Sequence, residues 1–571
     1  MTPRTLLALM ALPAAALFAP PLPAASRPAV RARHAMVVAA EPIAVAEGVR
    51  VLGEGGNAVD AAVTIAFALA VTHPQSGNIG GGGFMLIREP SGESTFIDYR
   101  ETAPAAASRD MFLDPNGEPD SDASLHTYRA AGVPGSVAGL TLALRRHGTI
   151  PLARALAPAI RLARKGFTVS RGLERELAAE KKALTRYPAS RAIFFKQGEP
   201  LAEGDLLVQE NLARTLEAVA REGAAGFYEG RVARALAAGM AAHGGLITQD
   251  DLAGYKPIVR PALAGAYRDC EILSAPPSSS GGVALLEILH MLEPFDLKAL
   301  GHNSSAYVHL VSEAMKRAYA DRSRWLGDPD FFEIPLAGLL SRDYAVSLMK
   351  SFDSQHATPA AGAGPGDPVP FDKPATNHFS VVDASGMAVA NTFTLNGSFG
   401  CGAVAEGLGF LLNNEMDDFS AKPGAPNMYG LVGAEANSIA PRKRMLSSMT
   451  PTILVRRDAS GRARPFMVLG SPGGATIISS VLQVILDVVD FDMELQAAVD
   501  APRFHHQWKP DWISLDRGGF PADVLEALRR RGHEVVEREY RGEVQAILLD
   551  GDGGWLRGAS DARGYGLAMG N

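Results

Sequence analysis

Apolar positions along this chain follow two spacings, and each predicts a different kind of element. Helical spacing prevails first. Residues 35–50 predict a short strand and then a helix, and residues 53–72 a long second helix. Its 58–71 portion is rich in apolar residues, so it belongs in a core despite Asp60, and it is too short to cross a bilayer. Residues 150–250, rich in Ala, Leu, Arg and Glu, read as mostly helical, and 281–292 and 304–325 continue in the same manner. Strands 84–88 and 95–100 interrupt the helices and turn at Pro90-Ser91-Gly92-Glu93.

From Thr376 onward strand patterns become denser. In residues 375–396 two alternating, β-branched and aromatic arms flank Asp383-Ala384-Ser385-Gly386, which predicts a hairpin. A three-residue loop with Gly386 in the left-handed region pairs Asp383 with Met387, and counting outward sets Thr376 opposite Thr394. Upstream, residues 356–374 are a run of Ala, Gly, Pro and Asp that predicts an exposed, cuttable loop. A cut at Ala375–Thr376 would give Thr376 a free α-amine of pKa roughly 7.7–8, a base able to activate its own hydroxyl. The hairpin alone favours two ordinary strand threonines, and the rest of the chain decides against that.

Glycine turns mark further places where backbone chemistry is exposed. The loop 73–83 trails a helix and enters a strand, the reverse of a phosphate cradle, so its glycines predict close backbone approach. Strand 466–469, the turn Gly470-Ser471-Pro472-Gly473-Gly474 and helix 475–489 aim free N–H groups outward. Lacking the Gly-Lys-Ser/Thr of a P-loop, this turn suits an oxyanion better. Arg100 ends a strand, where a planar fork can hold a carboxylate. Asn413 to Asp418 is a polar cluster directly after an apolar run, and residues 423–441, carrying Tyr429, have the length of a functional lid.

Composition narrows the setting. Charge is near balance, with 55 Lys and Arg against 62 Asp and Glu, so nothing calls for nucleic acid or an anionic membrane. Arg4, the apolar stretch 6–18 and the small residues 23–26 read as a secretory leader, and imply a periplasmic or secreted product with no membrane span in the mature form. Cys270 and Cys401 are expected to be free and buried. No metal-ligand spacing appears, and the adjacent His505 and His506 should point to opposite sides of a strand. Neither a metal nor a cofactor is expected.

Seven short motifs in order carry a resemblance to the gamma-glutamyltransferase family, also known as gamma-glutamyl transpeptidase or glutathione hydrolase. They are Gly56-Asn57-Ala58-Val59-Asp60-Ala61-Ala62, Asp98-Tyr99-Arg100-Glu101, Thr376-Asn377-His378-Phe379-Ser380, Leu412 to Asp418, Leu446 to Pro451, Gly470 to Gly474 and Ala501 to Trp508. The resemblance implies an α+β fold, a four-layer αββα sandwich of the N-terminal nucleophile hydrolase type, self-cleaved into subunits. The implied division is a signal peptide 1–25, a large subunit 26–375 and a small subunit 376–571, forming one intertwined heterodimer. Thr376 would be the nucleophile, with Thr394 bonded to its hydroxyl and Gly473 and Gly474 as oxyanion donors. Arg100, Ser447 and Ser448 would bind the donor's α-carboxylate, and Asn396, Glu415 and Asp418 its α-amine, beneath the Tyr429 lid. Glutathione and related γ-glutamyl compounds would be donors, with water, amino acids or dipeptides as acceptors.

Some positions depart from the family pattern. Asn377 stands where many relatives have threonine, Ala375 where glutamine is common, and Gly397-Ser398 where a threonine pair is found; Glu415 replaces the glutamine of some members. Two alternatives are a glutaryl or cephalosporin acylase of the same fold, and an inactive secreted scaffold.

Overall fold

The computed structural model describes residues 26–371, 383–458, 460–540, 542–550 and 554–571. Two antiparallel sheets form its centre. The smaller has the order Ala388–Thr394, Gly82–Arg88, Ser94–Asp98, Ile258–Arg260. The larger runs Val30–Ala32, Leu556–Ser560, Gln545–Leu549, Ala463–Gly470, Thr452–Arg457, Cys270–Ser274, Leu263–Tyr267. Both sheets therefore combine strands from before and after residue 375.

Alternation along the strands explains the layering. Ile453 and Val455 enter one core with Phe84, Phe96 and the helix Ala58–Thr72, whereas Leu454 between them joins a second core with the helices Gly281–Leu292 and Ile477–Val489. Helices Ala58–Thr72 and Ser136–His147 pack on the smaller sheet, and Gly281–Leu292 and Ile477–Val489 on the larger, with the sheets in contact between them. The result is the helix–sheet–sheet–helix sandwich expected.

The predicted helix over 53–72 begins later, at Ala58. Gly55 takes φ +88° and ends the preceding helix Pro42–Gly53, and Asn57 then starts a new one. The Asn57 side chain accepts from the Asp60 N–H at 2.9 Å while the Asp60 carboxylate accepts from the Asn57 N–H at 2.8 Å, a reciprocal cap. Asp60 is buried because it also accepts from Thr149 N and Ile150 N, at 2.7 and 3.2 Å. Among the described residues no helix is long and apolar enough to cross a membrane, and Cys270 and Cys401 are free and buried.

The Gly386 turn forms as the sequence predicts, with φ +93° and its N–H on the Asp383 carbonyl at 2.7 Å. Thr376, Ala375 and the first arm of the hairpin lie outside the described residues. The segment before them needs correcting. Residues 356–371 make no ladder, as expected, but they are fastened and not simply exposed. The Ala360 N–H donates to Asp511 at 2.7 Å, its carbonyl accepts from Trp508 Nε1 at 2.9 Å, and the Gly366 N–H donates to Asp321 at 2.6 Å. The buried polar face of the Ser305–Trp325 helix supplies Asp321, and Glu313, Lys316 and Arg317 beside it hold Thr358.

Candidate active site

Thr394 closes the Ala388–Thr394 strand and faces Gly82 in the register. The glycine loop ahead of Gly82 makes that placement possible. A Cβ on Gly81 would strike the Thr394 carbonyl, one on Gly80 the Leu411 carbonyl, and one on Gly83 the Thr392 carbonyl. Asn78 crosses the same gap, donating to Thr394 O at 2.8 Å and accepting from Gly81 N at 2.8 Å. Close backbone approach is thus the role of residues 80–83. Thr394 Oγ1 accepts from the Asn396 N–H at 2.8 Å, which leaves its own proton free to donate.

Asn396 takes φ +73°, and its carbonyl accepts from the Tyr429 hydroxyl at 2.8 Å. That tyrosine lies in the lid segment, and its ring covers Gly474. A Cβ there would stand 2.9 Å from Tyr429 Cζ and closer still to Cδ1 and Cε1. Gly473 and Gly474 have φ +135° and +58°, both in the region that favours glycine. No carbonyl among the described residues accepts from their N–H groups. The turn runs through a short 3₁₀ segment, Gly474–Thr476, so the helix begins at Ile477, two residues later than the pattern predicts. Those N–H groups are thus left available to an anion.

The charged part of the site is buried except at Asp418, whose side chain is 12% exposed. Arg100 has no exposure; its Nε donates to the Met445 carbonyl at 3.3 Å, Nη2 reaches Asp418 at 2.5 Å and Nη1 pairs with Glu415. Glu101 is 3.6 Å from Nη1, and neither of its carboxylate oxygens has another partner among the described residues. Burial opposes the charge on Arg100, but Glu415, Asp418 and Glu101 outweigh it and raise its pKa. Burial pushes Glu415 up to about 7, with Arg100 opposing and Asp418 adding to the rise. Asp418 is raised for the same first reason, against Arg100. One guanidinium facing three carboxyls leaves the cluster short of positive charge.

Ser447 and Ser448 follow Met445 by two and three residues. Ser447 Oγ accepts from the Met449 N–H at 3.1 Å, and Ser448 Oγ accepts from Arg322 Nη2 at 3.2 Å. Each hydroxyl therefore keeps its proton for a further acceptor. Ser280 holds the turn, its N–H and hydroxyl donating to the Ser447 carbonyl at 2.8 and 2.7 Å.

The structure thus gathers Arg100, Glu415 and Asp418 into one cluster, ties Ser447 and Ser448 to it through Met445, and joins Thr394, Asn396, Tyr429, Gly473 and Gly474. The predicted helix over 304–325 forms as Ser305–Trp325, but sequence reasoning missed that it stands behind the site. Tyr319 donates to the Ala475 carbonyl at 2.6 Å, and Arg322, three residues on, donates to Ser448. Residues three apart share a helix face, so the spacing was readable, but nothing local marked that face as functional.

Two histidine groups are structural. His505 Nδ1 meets Ser479 at 2.9 Å while His506 Nε2 meets Asp511 at 3.2 Å, so the neighbours do diverge. His309, Glu313 and His533 lie close enough together to hold an ion. Yet Glu313 is paired with Lys316 and Arg317 at 3.0 and 2.6 Å, and His309 Nδ1 meets His533 Nε2 at 2.7 Å. The glutamate is thus held by the two cations and the two histidines by each other.

The αββα sandwich, with a strand-end threonine and a turn of uncommitted glycine N–H groups, is that of the N-terminal nucleophile hydrolases. It belongs to the gamma-glutamyltranspeptidase family, whose profile matches residues 44–571. The glutathione hydrolase proenzyme of Escherichia coli (strain K12) is 49% identical over 535 residues, covering 94% of this chain and 91% of that protein. A crystal structure of cephalosporin acylase from Bacillus halodurans superposes with a TM-score of 0.83 at 28% identity, covering 95% of this chain and 97% of that one. Helicobacter pylori gamma-glutamyltranspeptidase gives a TM-score of 0.57 at 42% identity, covering 59% of this chain and 97% of that one.

Proposed function

We infer that the work of this enzyme is done by Thr376, freed as an N-terminus when the precursor cuts itself before that residue. The enzyme is a gamma-glutamyltransferase and glutathione hydrolase. It cleaves the γ-glutamyl amide of glutathione and related compounds through a γ-glutamyl-threonine ester, and passes the acyl group to water or to amino acids and dipeptides. In our reading, cleavage yields a large subunit 26–375 and a small subunit 376–571, after removal of the 1–25 leader and export to the periplasm or beyond.

The observation that carries this reading is the buried cluster of Arg100, Glu415 and Asp418 next to two serines whose protons are uncommitted. An amino-acid head brings one ammonium and one carboxylate. Glu415, Asp418 and Asn396 suit the first; Arg100, Ser447 and Ser448 suit the second. Anchored so, the donor's γ-carbonyl reaches the cradle of Gly473 and Gly474 beneath Tyr429. The Thr376 amine takes the hydroxyl proton, Oγ attacks the carbon of the γ-carbonyl, and the two N–H groups hold the oxyanion. The C–N bond then breaks, the leaving amine takes up the proton, and Thr394 supports Oγ throughout. Water or an acceptor amine repeats the sequence on the ester.

An acylase reading is weaker for a glutaryl donor, whose side chain offers a carboxylate but no ammonium to Glu415 and Asp418. The scaffold reading leaves the uncommitted serine protons and glycine N–H groups without a use. The test is N-terminal sequencing of the purified subunits together with release from γ-glutamyl-p-nitroanilide, with and without glycylglycine. A small subunit beginning Thr-Asn-His-Phe-Ser and active on that donor is expected; a single intact, active polypeptide would overturn the assignment.

A further inference from the structure

On the function just proposed, the donor's α-carboxylate needs positive charge at the Ser447-Ser448 turn. Arg100 is largely committed there, with Nε on Met445 and its two Nη groups on Glu415 and Asp418. Arg322 is not committed to any carboxylate. It is 6% exposed, and its Nε donates to Ser280 Oγ at 2.9 Å while Nη2 donates to Ser448 Oγ at 3.2 Å. Among the described residues it forms no ion pair, although Asp418 lies within electrostatic range. Burial drags its pKa down, with Tyr319 and Asp418 opposing. A buried guanidinium satisfied only by hydroxyls is costly in an empty site, and a bound anion relieves that cost.

We propose that Arg322 is a positioning residue for the donor: it fixes the Ser448 hydroxyl with its proton directed at the α-carboxylate, and places a second positive charge behind that carboxylate. The hydrogen bond sets the direction. Ser448 Oγ accepts from Arg322, so the hydroxyl can engage another acceptor only by donating. Ser280 holds the other edge of the fork and also ties the Ser447 carbonyl, so one serine sets both the guanidinium and the turn. The ligand class that follows is a donor with a free α-carboxylate; capping that group as an amide or ester removes the partner of Arg322.

The experiment compares γ-glutamyl-p-nitroanilide with its α-carboxamide analogue on the mature enzyme and on Arg322→Gln, Arg322→Lys and Ser280→Ala. Glutamine keeps a donor at the reach of Nε, for Ser280, and removes both the charge and the bond to Ser448. The expected result for Arg322→Gln is a KM for the acid donor raised about 10- to 100-fold, with kcat and the KM for the carboxamide nearly unchanged. Arg322→Lys should restore part of the preference for the acid. Ser280→Ala, which keeps the charge but frees the fork, should raise the acid's KM by a smaller factor, and this comparison stands even if Arg322→Gln does not mature. Equal losses for acid and carboxamide would overturn the proposal and leave Arg322 a purely structural residue. A wild-type enzyme that does not distinguish the two donors would instead sink the γ-glutamyl reading on which the proposal rests.

Discussion

Replacing Gly474 with alanine separates the shape of the oxyanion turn from its hydrogen-bonding capacity, because alanine keeps the N–H. Two effects can be read from the structure. The backbone at φ +58° costs a residue with a Cβ about 1–2 kcal/mol. The new methyl would sit 2.9 Å from Tyr429 Cζ and nearer to two other ring carbons, so the ring must retreat by about 1 Å to reach ordinary contact. That retreat loosens the Tyr429 bond to the Asn396 carbonyl, now 2.8 Å, worth about 1 kcal/mol. Destabilisation of about 2–3 kcal/mol follows, and with one oxyanion donor displaced kcat falls about 10²- to 10³-fold. Initial rates on γ-glutamyl-p-nitroanilide measure the second effect, and denaturant unfolding the first. Adding Tyr429→Ala should cost less than the sum of the two single losses, because both variants act on the same Tyr429–Asn396 bond. A single Gly474→Ala enzyme with kcat within about threefold of wild type would refute the placement of the cradle under Tyr429.

Thr376→Ala should leave one uncut chain with no turnover, visible on a denaturing gel; normal splitting would displace Thr376 as nucleophile. Arg100→Lys should raise the donor KM about 100-fold, because an ammonium cannot span Met445, Glu415 and Asp418 together; an unchanged KM would remove Arg100 from the head-group site. Glu415, at about 7, is protonated below that pH in the empty enzyme, so affinity for the donor's ammonium should strengthen as pH rises through it. Glu415→Gln should abolish that limb of the kcat/KM profile, and a profile identical to wild type would exclude Glu415 as its source. Stability shifts the other way: the folded pKa lies above the ordinary 4.5, so this group's contribution is fully present below 4.5 and is lost as pH rises through about 7.

Much of the site could be read from sequence because its parts are short contiguous motifs with distinctive chemistry. The acidic run at 415–418 and the glycine turn at 470–474 each announce a local geometry that the structure shows, whereas the strand predicted to end at Arg100 stops at Asp98, two residues short of it. What stayed hidden depends on contacts distant in sequence. The Ser305–Trp325 helix shows ordinary spacing, and only the folded chain reveals that Tyr319 and Arg322 reach Ala475 and Ser448 from one face. The composition of residues 356–371 correctly excluded a ladder, but it could not show that Asp511, Trp508 and Asp321 would hold them in place. The start of the second helix was misplaced because the periodicity ran through Gly55, where a left-handed turn interrupts it.

The interleaving of strands carries a practical consequence. Ala388–Thr394 is zipped to Gly82–Arg88, and Thr452–Arg457 to Cys270–Ser274, so a break near residue 375 severs the polypeptide while its pieces stay laced through common sheets. Separating them means tearing out both hydrophobic layers, which amounts to global unfolding. Size-exclusion chromatography would report one particle before and after the break, and halves produced from separate genes would have no folded partner to dock onto.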